Sequence, residues 1–119
     1  MAKSIVAEKS YRYAIRIVNL YQWLCDTKKE YVLSKQLLRS GTAIGALLKE
    51  AEHAQSKADF LNKANVALKE ANEVLYWLML LHDTGFISEE DYKSIANDAE
   101  ELIKMLVSIV KTTKTNLGK

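Results

Sequence analysis

Apolar residues return every three or four positions along most of this chain, the period of helices that bury one face. In the first segment, from about Ser4 to Cys25, Val6, Tyr13, Ile17, Leu20 and Leu24 form the stripe, widened by Tyr11, Ile15, Val18 and Tyr21. Lys9, Arg12, Arg16, Asn19 and Trp23 take the opposite face. Asp26-Thr27-Lys28-Lys29-Glu30 interrupts the pattern. Thr27 with Glu30 three residues on has capping-box spacing, which starts the second helix there. That segment runs to about Ala54, with Leu33, Leu37, Gly41, Ile44, Leu48 and Ala51 as its stripe. Ser56 with Asp59 opens a third, whose stripe is Phe60, Ala64, Ala67, Ala71, Leu75, Leu78 and Leu81. Its last turns, Val74 to Leu81, are apolar all round. Thr84-Gly85 stops it, with Gly85 suited to the left-handed position after a helix end. Ser88 with Asp91 caps a fourth, striped by Tyr92, Ala96, Ala99, Ile103, Leu106 and Val110. Its acids Glu89, Glu90 and Asp91 and its terminal Lys111 and Lys114 match the helix dipole.

Short connections make sequential helices antiparallel neighbours. The pattern therefore predicts an all-α fold, an antiparallel up-down-up-down four-helix bundle, with residues 1–119 as one domain. The absence of Pro and the presence of only four Gly agree with it. Gly41 and Gly45 lie four apart on one helix face, where a glycine costs roughly 1 kcal/mol relative to alanine. Close approach of a second helix explains that cost. Asn116 to Lys119 reads as a frayed tail.

Seventeen Lys plus Arg against fifteen Asp plus Glu leave a net charge of +2, which excludes a highly charged disordered chain. The single Cys25 excludes an internal disulfide and fits a cytoplasmic location. The longest apolar run, Val74 to Leu81, is too short for a bilayer, and the N-terminus carries no secretory signal, so no membrane partner is expected.

Enzyme signatures are missing. There is no Ser-centred elbow, Gly-rich phosphate loop or Cys-x-x-Cys pair, and Cys25 has no evident catalytic His. Glu50 and His53 make one Glu-x-x-His spacing, but di-iron bundles need two, and Met79 stands three residues before His82. No metal, cofactor or catalytic residue is expected. The cations are more informative: residues 1–29 hold six basic residues against two acidic ones. With the start of helix 1 near the end of helix 4, Lys3, Lys9, Arg12 and Arg16 would gather beside Lys104, Lys111 and Lys114. Such a surface suits a polyanion.

The stretch Leu33-Ser34-Lys35-Gln36-Leu37-Leu38-Arg39-Ser40-Gly41-Thr42-Ala43-Ile44-Gly45-Ala46 resembles the signature of the bacterial four-helix-bundle proteins, some encoded in intervening sequences of the large-subunit ribosomal RNA gene. Gln55 to Phe60, Ala67 to Glu73 with Tyr76-Trp77-Leu78, and Leu102 to Leu106 continue the likeness in order. The chain departs from the pattern at Leu47, where Asn is usual, and at Ala54, where Gly is usual. The resemblance implies a homopentameric barrel. It also implies kinship with the accessory protein of diversity-generating retroelements, which binds nucleic acid and a reverse transcriptase.

The resemblance maps Arg39, Glu70 and Glu73 onto signature positions. A buried carboxylate needs a partner, so Arg39 paired with Glu70, Glu73 or Glu50 is expected as a structural polar cluster that fixes helix register. Two functional expectations follow. The first is a non-enzymatic homo-oligomer that binds RNA or DNA through Lys9, Arg12, Arg16, Lys104, Lys111 and Lys114. The alternative is a structural or protein-interaction module that binds no nucleic acid.

Overall fold

The computed structural model describes residues 2–118, with side chains from Ile5 onward. Four helices follow in order: α1 Ala2–Asp26, α2 Leu33–Ala51, α3 Lys57–Asp83 and α4 Glu89–Asn116. No strand occurs among the described residues. Each helix packs on the next, most extensively α2 on α3, and α4 returns to touch α1 along a slighter seam. This is the antiparallel four-helix bundle that the apolar periodicity predicts, 48 Å long and 22 by 21 Å across.

The small cross-section follows from the residues inside it. Ile17, Leu24, Leu37, Ile44, Leu78, Leu81, Leu102 and Leu106 are the largest side chains fully withdrawn from water. Between them α3 contributes Ala64, Ala67 and Ala71, and α4 contributes Ala96 and Ala99. The seam between α1 and α2 is narrower still. A Cβ on Gly41 would lie 2.8 Å from both Cγ1 and Cγ2 of Ile17, and one on Gly45 would lie 3.4 Å from Ser10 Oγ. Close helix approach therefore explains Gly41, where a side chain would collide, but at Gly45 an added methyl would make only ordinary contact with Ser10. Ser10, Ser34 and Ser40 are also buried, and each hydroxyl donates to its own backbone: to Ala7 O at 2.7 Å, to Glu30 O at 2.8 Å and to Gln36 O at 3.0 Å. Locally satisfied serines pack like small apolar residues. No buried side-chain polar atom among the described residues lacks a partner.

Three helix boundaries form as their local residues dictate. Ser56 Oγ accepts the Asp59 N–H at 3.0 Å, and Ser88 Oγ accepts the Asp91 N–H at 3.1 Å. After α3, Gly85 sits at φ 86°, with its N–H on His82 O and the Phe86 N–H on Leu81 O. Those two bonds are the Schellman pattern. The start of α2 differs from expectation. It begins at Leu33, not at Thr27, and ends at Ala51 rather than Ala54. Glu30, only 8% exposed, is the acceptor at its N-terminus: Oε2 takes the N–H groups of Val32 at 3.1 Å and Leu33 at 2.9 Å, and Oε1 takes Ser34 at 2.7 Å. The chain turns into this arrangement through Lys29 at φ 56°. Burial pushes the Glu30 carboxyl up, but the three backbone donors outweigh it and hold the group below the usual carboxylate range.

Two outcomes check this packing. Gly41→Ala should lower stability by about 1–3 kcal/mol through overpacking against Ile17. Thermal melts of the single and double variants should show a smaller loss in an Ile17→Ala background, since the obstructing atoms are then gone. Glu30→Ala should cost about 1–2 kcal/mol, the usual cost of losing a helix cap. Glu30 has a lowered folded-state pKa, so its contribution is present above the unfolded value, about 4.3, and disappears as pH falls through the folded value. Denaturant melts of parent and variant should therefore differ at pH 7 and converge in the acid range below pH 4.

Candidate nucleic-acid interface

The antiparallel seam of α1 and α4 sets which cations meet which neighbours. Tyr13, buried between the two helices, donates its hydroxyl to Ile95 O at 3.0 Å. That burial, and after it the nearby Asp98 charge, pushes the phenol pKa well above its ordinary value. One turn away, the Arg16 guanidinium donates to Asp98 Oδ2 at 2.7 Å, to Ser94 Oγ at 2.7 Å and to Ser94 O at 3.3 Å. Lys9 Nζ lies 3.1 Å from Glu101 Oε1, and Arg12 pairs along its own helix with Glu8 at 2.6 Å. Lys9, Arg12, Tyr13, Arg16, Asp98 and Glu101 line most of a groove of about 310 Å³. The three α1 cations are thus each matched by a carboxylate.

The three α4 lysines differ. Lys104, Lys111 and Lys114 are exposed, and none has a carboxylate partner among the described residues. Their spacing of seven and then three residues puts them on one face of the helix. After Glu101 the sequence contains no further Asp or Glu. Because Lys9 is level with Glu101, Lys111 lies ten residues, roughly 15 Å, further along the axis. Lys104, three residues past Glu101, stays beside the α1 cations, but Lys111 and Lys114 lie beyond them, so the six do not all gather into one patch as the sequence suggests. They form a neutralised α1–α4 seam followed by a free basic stripe. The Lys3 side chain lies outside the described residues. The carboxylates of Asp98 and Glu101 were the missed element. Their spacing of three on α4 was visible, but their partners depend on the register of helices about eighty residues apart in sequence.

Arg39 on α2 joins Glu70 and Glu73 on α3. Its Nη1 donates to Glu70 Oε1 at 3.2 Å and Oε2 at 3.3 Å, and its Nη2 donates to Glu73 Oε1. Trp77 Nε1 donates to the same Glu73 oxygen at 3.0 Å. The Trp77 bond, helped by the Arg39 charge, holds Glu73 below the usual carboxylate range against its partial burial. The hydrogen bond with Glu70 leads the causes that raise the Arg39 pKa. Glu50 does not belong to this cluster: it meets Lys63 Nζ at 3.0 Å, close to the opposite end of α2. Nor is the cluster buried, because the Arg39 side chain is 49% exposed and Glu70 16%. Its position is that of a register clamp between α2 and α3 at the protein surface.

No group of three His, Cys, Asp or Glu among the described residues has a metal-binding arrangement. His53 lies exposed in the turn after α2, and Glu50 is engaged by Lys63. Cys25 is half-buried, with Sγ 3.9 Å from Ser34 Oγ. No described helix is long and apolar enough to cross a membrane.

Half-exposure changes the expected weight of the Arg39 cluster. Arg39→Ala should cost about 1 kcal/mol or less, rather than the 3–5 kcal/mol that breaking a fully buried pair would cost. The loss should shrink further in high salt when denaturation midpoints are compared.

The sequence profile of the 23S rRNA-intervening sequence protein family matches residues 2–108. A crystal structure from Bacteroides thetaiotaomicron, described as a protein of unknown function from the S23 ribosomal protein family, is similar at 58% identity with a TM-score of 0.92. The match covers 93% of this chain and 99% of that one. No curated protein matches this chain. The sequence match and the shared four-helix architecture agree, and the chain belongs to the 23S rRNA-intervening sequence protein family.

Proposed function

We propose that this protein is a non-enzymatic, self-assembling helical bundle that holds RNA or DNA through the basic half of α4. The observation that carries this reading is the stripe of Lys104, Lys111 and Lys114, exposed on one helix face without carboxylate partners among the described residues. Unpaired lysines can neutralise backbone phosphates and release the cations condensed there, whereas lysines already in ion pairs must first give up a carboxylate. Lys9, Arg12 and Arg16 then serve as the neighbouring edge of the surface. Their carboxylate partners must yield before phosphates can replace them. Contacts of this kind meet phosphates rather than base edges, so recognition is weakly sequence-specific. A homo-oligomer repeats the stripe once per copy, which multiplies the field at a polyanion. Five copies, and a reverse transcriptase as a protein partner, belong to this reading through the family resemblance alone.

The alternative, a protein-interaction module without nucleic acid, draws on Tyr11, Tyr76 and Met79, which stand exposed on the outer helix faces.

Binding of labelled single-stranded and duplex RNA and DNA, titrated with salt, separates the two. The proposal expects retention at low salt that falls steeply, by roughly 0.9 log units per phosphate contact for a duplex. Combined Lys104→Glu, Lys111→Glu and Lys114→Glu should abolish it with helicity unchanged. Arg12→Gln with Arg16→Gln should weaken it less. Equal binding by the triple variant, or no binding by the parent, overturns the proposal.

A further inference from the structure

The turn between α1 and α2 gathers side chains that the bundle core does not use. Trp23, in the last turn of α1, is 39% exposed, and Tyr31 and Val32, just before α2, are 55% and 73% exposed. Two backbone bonds fold this turn back on the end of α1. The Thr27 N–H donates to Trp23 O at 2.8 Å, and the Glu30 N–H donates to Leu24 O at 3.0 Å. Trp23 precedes Leu24 and Tyr31 follows Glu30, so the two rings start from the same corner of the fold. The Glu30 carboxylate, bonded to the N–H groups of Val32, Leu33 and Ser34, holds the backbone there and leaves Tyr31 and Val32 outside.

The charge at this corner is positive and free. Lys28, Lys29 and Lys35 are exposed, and none has a carboxylate partner among the described residues. One exposed carboxylate, Asp26, stands against them, because Glu30 is withdrawn from water and engaged by backbone donors. Lys28 Nζ lies over the Trp23 ring, 5.5 Å from its centre, as a cation–π contact. Exposed π-faces interleaved with unpaired lysines are the composition of single-strand sites, where bases stack on rings and cations follow the phosphates. A protein partner fits less well, since lysine is depleted from protein interfaces. A duplex fits less well too, since only unstacked bases offer their faces to aromatic side chains.

We infer that the α1–α2 turn is a second nucleic-acid site, which stacks unpaired bases of a single strand on Tyr31 and Trp23. Lys28, Lys29 and Lys35 take the flanking phosphates. A base on Trp23 occupies the ring face that Lys28 covers and releases that ammonium to a neighbouring phosphate. The site goes beyond the α4 stripe in both place and chemistry. Lys9 is level with Glu101, so Trp23 lies fourteen residues, roughly 21 Å, along α1 in one direction, and Lys111 roughly 15 Å in the other. The stripe meets phosphates alone, whereas the turn distinguishes an unpaired strand from a duplex.

Fluorescence anisotropy with a labelled oligothymidine of about eight nucleotides, within the usual span of single-strand sites, tests the inference against an abasic strand of equal length. Both strands offer the same phosphates, but only the first offers bases. The parent should bind the oligothymidine about tenfold more tightly, the scale of one stacked base. Tyr31→Ala and Trp23→Ala should each remove most of that preference and leave affinity for the abasic strand unchanged. Both rings are solvent-facing, so helicity should stay at the parental level. Tyr31→Phe keeps a ring and should keep the preference. Lys28→Gln with Lys29→Gln should weaken both strands alike. Combined Lys104→Glu, Lys111→Glu and Lys114→Glu should lose duplex retention and keep the preference, which separates a failure of the stripe from a failure of the turn. No binding of either strand, or equal affinity of the parent for the two, overturns the inference. So does a preference that survives Tyr31→Ala combined with Trp23→Ala.

Discussion

The feature on which most of this structure depends is how little room its helices leave between them. Ile17 lies over Gly41 with no space for a methyl group, and Ser10 lies beside Gly45. Ala64, Ala67, Ala71, Ala96 and Ala99 continue the same economy of volume on the other side of the bundle. Helices drawn this close cannot enclose many large side chains. Leu78 and Leu81 go inside, while Tyr76 and Met79, from the same apolar run, remain outside. The tight core and the exposed Tyr76 and Met79 thus have one cause.

The same close packing arranges the charges. With α1 and α4 antiparallel and near, Arg16 reaches Asp98 and Lys9 reaches Glu101 across the seam. Each pair is exposed and contributes little to stability. Their consequence for function is larger, since they remove two α1 cations from the free positive surface, Glu8 on α1 itself engages a third, Arg12, and Lys104, Lys111 and Lys114 stay free. Arg39 plays the corresponding part between α2 and α3, bridging Glu70 and Glu73 at the surface. The family match and the B. thetaiotaomicron structure establish the fold and kinship of this chain without assigning it an activity. The functional case therefore rests on the free stripe.

What could be read from the sequence was what short-range physics decides. Ser56, Ser88 and Gly85 set helix boundaries through bonds spanning three to five residues, and all three do so as the residues imply. Gly41 was legible because a helical glycine needs a reason, and Arg39 with Glu70 and Glu73 because the resemblance singled them out. The start of α2 was not legible. Thr27 and Glu30 have the right spacing, but Glu30 is drawn into the bundle and caps forward, onto Val32, Leu33 and Ser34. Glu50 was misplaced because residues of α2 separated by three turns were treated as neighbours of one arginine. The α1–α4 ion pairs depend on a register that only the packed bundle sets.

The free basic stripe is tested most directly by the salt dependence of duplex DNA retention when its lysines are changed one at a time. Lys104→Gln, Lys111→Gln and Lys114→Gln should each lower the slope of log affinity against log salt by about 0.9, and Lys9→Gln, already paired with Glu101, should lower it by less. An unchanged slope in all three stripe variants would contradict the stripe's role.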